Sequence, residues 1–256
     1  MAGSSPRVSI VIPAKNEGAT VPALLDEIDR ACAGLAPFEI VYVDDGSTDD
    51  TPVLLAVEQA RRSHLRVVRH AAGCGKSAAI RSGVRAAAAP LIVTVDGDGQ
   101  NDPAFVPDMV ALLERDPALA LIAGQRLRRG DSGFKGLQSR IANGARGALL
   151  RDGTRDTACG LKAIRREVFL ALPYFDTLHR FLPALVRREG WGIAHFDVVD
   201  RPRLAGQSHY GLLDRLLVGI PDLFGVWWLI RRRERVPQVR EIHPEPHPAP
   251  ASEPRP

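Results

Sequence analysis

Apolar runs of strand length alternate with amphipathic segments of helical length through the first half of this 256-residue chain. Strands are predicted at Val8–Ile12, Phe38–Val43, Leu65–Val68, Leu91–Val95 and Leu119–Ala123. Helices are predicted at Glu17–Ala33, from a cap at Ser47-Thr48-Asp49 to about Arg62, at Gly75–Ala88, and from Pro103 to about Arg115. This alternation predicts an α/β fold with a mainly parallel central sheet flanked by helices.

Polar, turn-forming segments follow three of the predicted strands. They are residues 13–17 after the first strand, Asp44 and Asp45 after the second, and residues 96–100 after the fourth. In sheets of this kind, ligands bind beyond the carboxyl ends of the strands. We therefore expect the three segments to converge on one edge of the sheet and to form a binding site there.

Two aspartates, Asp96 and Asp98, follow the fourth strand one residue apart. The two-residue period of a strand points both carboxylates the same way, and the glycines beside them allow a tight turn. Together with the amide of Gln100 they offer the hard oxygen ligands that suit Mg²⁺ or Mn²⁺. Such an ion binds phosphate oxygens, which indicates chemistry on a nucleotide diphosphate. The same residue types also make ordinary turns, so the motif alone leaves a plain turn open.

The segment Gly73–Ser77 resembles a phosphate-binding P-loop but lacks one of its required glycines. The P-loop pattern needs a glycine where this chain has His70. A nucleotide-hydrolysing P-loop is therefore not predicted. Lys76, at the start of the predicted helix, is still placed to reach an anionic ligand.

Basic residues outnumber acidic ones from Arg126 to Arg155, and the whole chain carries a formal net charge of +4. Either a solvated helix face or an anionic partner explains such a run. A nucleic-acid partner is not expected, because the basic residues are not interleaved with aromatics, which make up 5% of the chain. The three cysteines lie far apart, so the sequence indicates neither a disulfide framework nor a zinc site.

The second half of the chain is less regular. Helices are predicted at Leu137–Leu150, Leu178–Glu189 and Leu212–Arg233, and a strand at Ile193–Val199. In the last helix two tryptophans precede three arginines, which suits a membrane interface, although a helix packed on the core is the alternative. The apolar stretch there is too short and too interrupted for a membrane span. Prolines dominate from residue 237 onward, which predicts a disordered tail.

Segments spread over roughly residues 7–233 together resemble the family-2 glycosyltransferases with a GT-A fold. Within that family they resemble the dolichol-phosphate mannose synthase-like, or polyprenyl-phosphate glycosyltransferase, branch. The matching segments are 8–17, 41–49, 73–83, 96–103, 124–126, 156–161 and 206–211. The resemblance implies a GT-A domain over residues 7–213. The residue patterns described above add an amphipathic membrane-interface helix at 214–235 and a proline-rich disordered tail at 236–256.

The resemblance also implies roles for individual residues. The residues implied to bind the nucleotide-sugar are Pro13, Ala14, Glu17, Asp44, Asp45, Lys76, Asp96, Gly97, Arg126, Arg203 and His209. Asp96, Asp98 and Gln100 would hold the metal, while Arg126 and Arg140 would meet the acceptor phosphate. Family members often carry lysine where this chain has His209, whose charge depends on pH near neutrality. The residues implied to take part in catalysis are Asp98, Arg140 and Asp156.

The implied reaction is a metal-dependent, inverting transfer of a sugar from a GDP- or UDP-sugar to a polyprenyl phosphate. A phosphate monoester has a second pKa near ~6, so the acceptor is already largely dianionic at neutral pH. No general base is then required, and Asp156 is expected to be structural or to position the acceptor. The alternatives are transfer to a hydroxyl, with Asp156 as the base, and a non-catalytic module that binds nucleotide-sugars. Because no apolar signal segment opens the chain, we expect a cytoplasmic protein bound peripherally to the cytoplasmic face of a membrane.

Overall fold

A computed structural model describes residues 5–127, 146–147, 149–201 and 212–232, with side chains in the last segment described from residue 220. The strands are β1 (Val8–Ala14), β2 (Phe38–Asp44), β3 (Leu65–Arg69), β4 (Leu91–Thr94), β5 (Leu119–Arg126), β6 (Lys162–Arg165) and β7 (Gly192–Val198). The α-helices are α1 (Val21–Cys32), α2 (Thr51–Arg61), α3 (Lys76–Ala86), α4 (Val106–Arg115), α5 (Arg166–Ala171), α6 (Leu182–Arg188) and α7 (Leu212–Arg231).

One seven-stranded sheet, in the order β3-β2-β1-β4-β6-β5-β7, forms the centre of the described part of the chain. Every neighbouring pair is parallel except those of β6, which runs antiparallel to both β4 and β5. The other six strands therefore point the same way. Their carboxyl ends meet at one edge of the sheet, as the alternation of strands and helices predicts.

Apolar side chains cover both faces of this sheet, because alternate residues of a strand point to opposite faces. On one face, Ile10 and Ile12 of β1 pack with α1 and α4, where Leu25 and Met109 are fully buried. On the other face, Val11 packs with α3, α5 and α6. Strands buried on both faces have continuous apolar sequences, which is why β1, β2 and β4 could be predicted from the sequence.

The sequence prediction missed β6 and α5. The strand is only four residues long and carries Lys162 and Arg165, so its sequence lacks the apolar run that marks its neighbours. The strand forms because it pairs with a strand on each side, so that Lys162 lies opposite Thr94 of β4 and Ala123 of β5. The sheet is therefore mainly, rather than wholly, parallel.

The predicted start of α2 was partly right. The helix begins at Thr51, and the residue before it, Asp50, makes no side-chain capping hydrogen bond. Asp49 accepts hydrogen bonds from the backbone N–H groups of Thr51, at 3.0 Å, and Gly18, at 3.2 Å. Ser47 Oγ accepts a hydrogen bond of 2.8 Å from the backbone N–H of Asn16. Asp49 thus satisfies the first N–H of the helix, and together with Ser47 it joins the loop after β1 to the loop after β2.

Beyond the missed β6 and α5, the described parts of the C-terminal half contain the predicted helices and the predicted strand, β7. Most of the helix predicted at 137–150 lies outside the described residues, although residues 146, 147, 149 and 150 are helical. The predicted tail also lies outside them. The helix predicted at Leu212–Arg233 is α7, and its Val226 is buried in the core beside α6. Among the described helices, none combines the length and the apolar character needed to cross a bilayer.

Candidate active site

The loops after β1 and β2 meet around Asp44, a fully buried carboxylate at the carboxyl end of β2. The register places Asp44 beside Ala14, the last residue of β1. Its Oδ1 atom accepts a hydrogen bond of 2.8 Å from the backbone N–H of Ser47. Among the described residues no donor completes a hydrogen bond to its Oδ2 atom, although Nε of Arg69 lies 3.1 Å away. This oxygen is therefore suited to accept a hydrogen bond from a ligand.

Asp45, the next residue, holds the loop that precedes α3. Its carboxylate accepts hydrogen bonds from the backbone N–H groups of Cys74 and Gly75, both at 2.8 Å, and lies 2.6 Å from Nδ1 of His70. Burial raises the pKa of Asp45, but these hydrogen bonds outweigh that effect and hold the pKa below its usual value. Asp45 thus shapes the turn, as the family resemblance implies, and its oxygens face the protein.

The predicted metal ligands lie together on the loop after β4. Asp98 is buried, and its Oδ1 atom accepts a hydrogen bond of 3.1 Å from the backbone N–H of Gln100. Thr20 Oγ1 donates to the backbone carbonyl of Gly97 at 2.6 Å and anchors the loop to the segment before α1. Gly97 packs closely on Ala14, because an added Cβ atom would stand 2.5 Å from the Cβ of Ala14.

Asp96 lies between Lys76 of α3 and Gly160 of the segment before β6. Its Oδ1 atom is 2.5 Å from Nζ of Lys76, yet within the described part of the chain it accepts no hydrogen bond of acceptable geometry. A buried carboxylate oxygen without a hydrogen bond, beside a second carboxylate and an amide, is a donor set that fits a hard divalent cation. These three side chains are therefore suited to hold Mg²⁺ or Mn²⁺, and Lys76 is close enough to meet the same anionic ligand.

A buried lysine near Asp96 and a half-buried histidine beside the start of α3 were missed by the sequence analysis. Lys162 donates a hydrogen bond from Nζ to the backbone carbonyl of Cys159. Burial lowers the pKa of Lys162 to about 8, and Asp96 and Lys76 are among the charges that act on it. Nδ1 of His179 lies 2.8 Å from Ser77 Oγ, and burial lowers its pKa well below the usual value. Both residues are brought here by packing, and nothing in their local sequence indicates a role at the site.

Arg126, at the end of β5, is held by two carboxylates. Its Nε and Nη2 atoms donate to Asp156 at 2.5 and 3.0 Å, and its Nη1 atom donates to Asp200 at 3.3 Å. Burial raises the pKa of Asp156, but the hydrogen bonds from Arg126 outweigh it, and the pKa lies below its usual value. A carboxylate with a lowered pKa and two bonds to a guanidinium is a weak base.

Asp200 is a further site residue that the sequence analysis missed. It follows β7, which is parallel to β5, so it lies at the same edge of the sheet as Asp44 and Asp96. The rule that found the other two aspartates, a polar residue directly after a predicted strand, would also have found this one. Burial raises the pKa of Asp200 above its usual value, because the interaction with Arg126 offsets only part of the desolvation.

The remaining predicted residues fall into two groups. Pro13 and Ala14 are buried within β1, while Glu17 is half-buried in the loop that follows and donates its backbone N–H to Thr51 Oγ1 at 3.1 Å. Arg140, Arg203 and His209 lie outside the described residues. The structure therefore brings the described residues that are predicted to bind the donor and the metal together at one edge, and the roles of all the predicted residues stay predictions.

The chain is similar in sequence to known glycosyltransferases. The sequence model described as "Glycosyl transferase family 2" matches residues 9–172. The dodecaprenyl-phosphate galacturonate synthase of Rhizobium johnstonii is 34% identical over 89% of this chain and 68% of its own length. The undecaprenyl-phosphate 4-deoxy-4-formamido-L-arabinose transferase of Sodalis glossinidius is 33% identical over 81% of this chain and 64% of its own length. The matched region is thus slightly more than two thirds of the first relative and slightly less than two thirds of the second. These matches confirm the resemblance predicted from the sequence.

Solved structures show the same fold. Glucosyl-3-phosphoglycerate synthase from Mycobacterium tuberculosis, in complex with Mn²⁺, UDP-glucose and glycerol 3-phosphate, aligns with a TM-score of 0.65 at 24% sequence identity. That alignment covers 89% of this chain and 80% of the solved chain. The complex of the same enzyme with Mg²⁺ and UDP also gives a TM-score of 0.65, at 23% identity over 89% of this chain and 79% of the solved one. The predicted GT-A fold is therefore confirmed.

Proposed function

The chain belongs to glycosyl transferase family 2, and on that premise we propose that it transfers one sugar from a nucleotide-sugar to a polyprenyl phosphate. The observation that carries the proposal is the loop after β4, where Asp96, Asp98 and Gln100 face the same edge of the sheet as Asp44 and Lys76. The two relatives described above are named for a dodecaprenyl phosphate and an undecaprenyl phosphate, which supports this class of acceptor.

The donor would lie across the carboxyl ends of β1, β2 and β4. The Oδ2 atom of Asp44, which lies beside Arg69 but accepts no hydrogen bond from a described residue, would accept one from the nucleoside. Lys76 would meet the diphosphate. Asp96, Asp98 and Gln100 would hold a divalent cation, which supplies Lewis-acid stabilisation of the departing nucleotide diphosphate. Because Asp96 already lies beside Lys76, its carboxylate would orient the lysine towards that leaving group.

The acceptor phosphate would attack the anomeric carbon from the face opposite the leaving diphosphate, so that the configuration inverts. The carboxylate of Asp156 supports an acceptor that needs no base, because Arg126 and the backbone N–H of Ala158, which donates at 3.0 Å, occupy its oxygens. A hydroxyl acceptor would require a group ready to take its proton. A phosphate dianion requires only cations that hold it, and Arg126 is such a cation at this edge.

Helix α7 would bring this site to an anionic lipid surface. Its side chains Ile220, Phe224 and Trp228, spaced four residues apart on one side of the helix, are about half exposed. The guanidinium of Arg232 lies 5.6 Å from the ring centre of Trp228, and Arg231 stacks on the neighbouring Trp227 in the same way. An exposed apolar stripe that ends in cations is complementary to the interface of a bilayer with anionic lipids. We place the enzyme on the cytoplasmic face of such a membrane.

A donor screen tests the proposal directly. The purified protein is mixed with radiolabelled GDP- and UDP-sugars, polyprenyl phosphate in detergent, and Mg²⁺ or Mn²⁺. We expect label from one donor to enter the organic phase, and we expect a chelator to prevent it. Label that appears only in free sugar or in a water-soluble product would contradict a lipid phosphate acceptor. The same screen names the sugar and the nucleotide.

A further inference from the structure

A continuous set of polar contacts joins the metal-binding loop to Arg126 through Asp200. The backbone N–H of Asp96 donates to Asn101 Oδ1 at 3.0 Å, and Asn101 Nδ2 donates to Asp200 Oδ1 at 3.4 Å. The other oxygen of Asp200 accepts the 3.3 Å hydrogen bond from Arg126 Nη1. One carboxylate thus contacts both the loop that holds the proposed metal ligands and the arginine that faces the proposed acceptor.

Arg126 carries one positive charge and is shared by two carboxylates. Asp156 binds it through two hydrogen bonds, whereas Asp200 binds it through a single, longer one. Arg126, Asp156 and Asp200 together therefore carry a net charge of −1 when both aspartates are ionised, and this charge opposes the approach of an anion. Asp156 and Asp200 take three of the five N–H donors of Arg126 and more than balance its charge. A phosphate that binds Arg126 therefore competes with the two carboxylates, and the single bond to Asp200 is the easier one to break.

We propose that Asp200 is a positioning residue that competes with the phosphate ligand for Arg126 and takes the arginine back when that ligand leaves. The inference rests on the proposed function for the identity of the ligand, but the competition itself depends only on the charges and contacts around Arg126. When Asp200 holds Arg126, the guanidinium is linked through this carboxylate to Asn101. When a phosphate replaces Asp200 at Arg126, Asp200 keeps its own hydrogen bond from Asn101.

This role predicts opposite effects on binding and on turnover. The substitution Asp200→Asn keeps the size of the side chain and removes the competing charge, so a phosphate should bind Arg126 about threefold to tenfold more tightly. The release of the phosphate-bearing product should slow, because the carboxylate no longer takes Arg126 back. The KM for the acceptor and kcat should therefore both fall. A residue that only supports the fold would lower stability and kcat without tightening phosphate binding.

The test compares three variants with the full-length wild-type protein. Asp200→Asn removes the charge, Asp200→Glu restores it, and Asp197→Asn is the matched control. Asp197 is an exposed carboxylate of β7, the strand that Asp200 follows, and it pairs with Arg155 at 3.0 Å. Binding of inorganic phosphate is measured by calorimetry, thermal unfolding confirms that each variant is folded, and acceptor KM and kcat are measured with a short-chain polyprenyl phosphate.

We expect Asp200→Asn to bind phosphate more tightly than wild type, and Asp200→Glu and Asp197→Asn to bind it as wild type does. Equal or weaker binding by folded Asp200→Asn would overturn the proposal, and so would the absence of measurable binding in both proteins. Because phosphate binding does not depend on the reaction, tighter binding together with no lipid product would refute the proposed function and leave the role of Asp200 standing.

Discussion

Gly160 lies directly against the carboxylate of Asp96, so closely that a Cβ atom at position 160 would stand 2.2 Å from the Cγ atom of Asp96. The backbone carbonyl of Gly160 is fixed by a 2.6 Å hydrogen bond from Thr94 Oγ1. The glycine cannot move away without breaking this bond between β4 and the segment before β6. The missing side chain of Gly160 therefore determines where the carboxylate of Asp96, the first of the proposed metal ligands, can lie.

The substitution Gly160→Ala should displace Asp96 and reduce activity at least about tenfold, with a destabilisation of about 1–3 kcal/mol. The carboxylate is the mobile end of its side chain, so it moves before the backbone does. Activity as a function of Mn²⁺ concentration and thermal unfolding measure the two effects. Gly34→Ala is the control, because nothing described lies within 4 Å of a Cβ atom at that position. Unchanged metal dependence in Gly160→Ala would contradict the role given to this contact.

The substitution Asp98→Ala should abolish turnover while the protein stays folded. It removes one of two carboxylates from the proposed metal site, and a loss of at least about 100-fold is expected. Turnover is measured with the donor found in the screen, and circular dichroism checks the fold. Asp108→Ala, at an exposed aspartate in the first turn of α4, should leave turnover unchanged. Wild-type rates in Asp98→Ala would rule out the metal role.

Lys162 should make the protein more stable as the pH rises above neutrality. The folded lysine loses its proton near pH 8, whereas the unfolded one keeps it to about 10.5. Between these values the unfolded state binds more protons, so the free energy of unfolding increases with pH, by roughly 2–3 kcal/mol. Guanidinium unfolding of wild type and Lys162→Met across this range measures the contribution. Cysteines and tyrosines also titrate in this pH range, but they do so in both proteins, so the difference in unfolding free energy between the two reports on Lys162 alone. If this difference did not change with pH, the prediction would be wrong.

The substitution Trp228→Ser should weaken binding to vesicles that contain anionic lipids by about tenfold or more, because it removes the largest exposed apolar side chain of α7. Vesicle flotation at low and high salt measures the apolar and the electrostatic contributions, and salt should weaken binding in both proteins. Val57→Ser, which replaces an exposed apolar residue of α2, is the control and should bind the vesicles as wild type does. Equal vesicle binding by all three proteins would show that α7 does not face the membrane.

The substitution Arg140→Ala should raise the apparent KM for the lipid phosphate about tenfold, and more than it raises the KM for the donor. The family resemblance gives Arg140 the role of holding the acceptor phosphate, which loses a charge-assisted hydrogen bond in the variant. Initial rates with each substrate varied in turn provide the measurement. Arg115→Ala, at an exposed arginine near the end of α4, is the control. An acceptor KM that does not change would remove Arg140 from the acceptor site.

Much of the fold and part of the site could be predicted because the signals are local. Continuous apolar runs mark strands that are buried on both faces, and Asp44 and Asp96 directly follow two such runs. A four-residue strand such as β6 is too short to show a hydrophobic pattern. It forms because its backbone pairs with β4 on one side and with β5 on the other. The sequence analysis consequently gave no role to Gly160, which lies just before this strand, or to Lys162, its first residue.

The sequence by itself determined the family, the direction of most strands and the edge where the aspartates meet, because strand and helix periods depend on neighbouring residues. The partners of individual charges were decided only by the tertiary structure. Arg126 is predicted from the sequence to meet phosphate, yet it is held by Asp156, 30 residues away, and by Asp200, 74 residues away. Such pairs form when strands distant in sequence become neighbours in the sheet, and burial then fixes their charges and geometry.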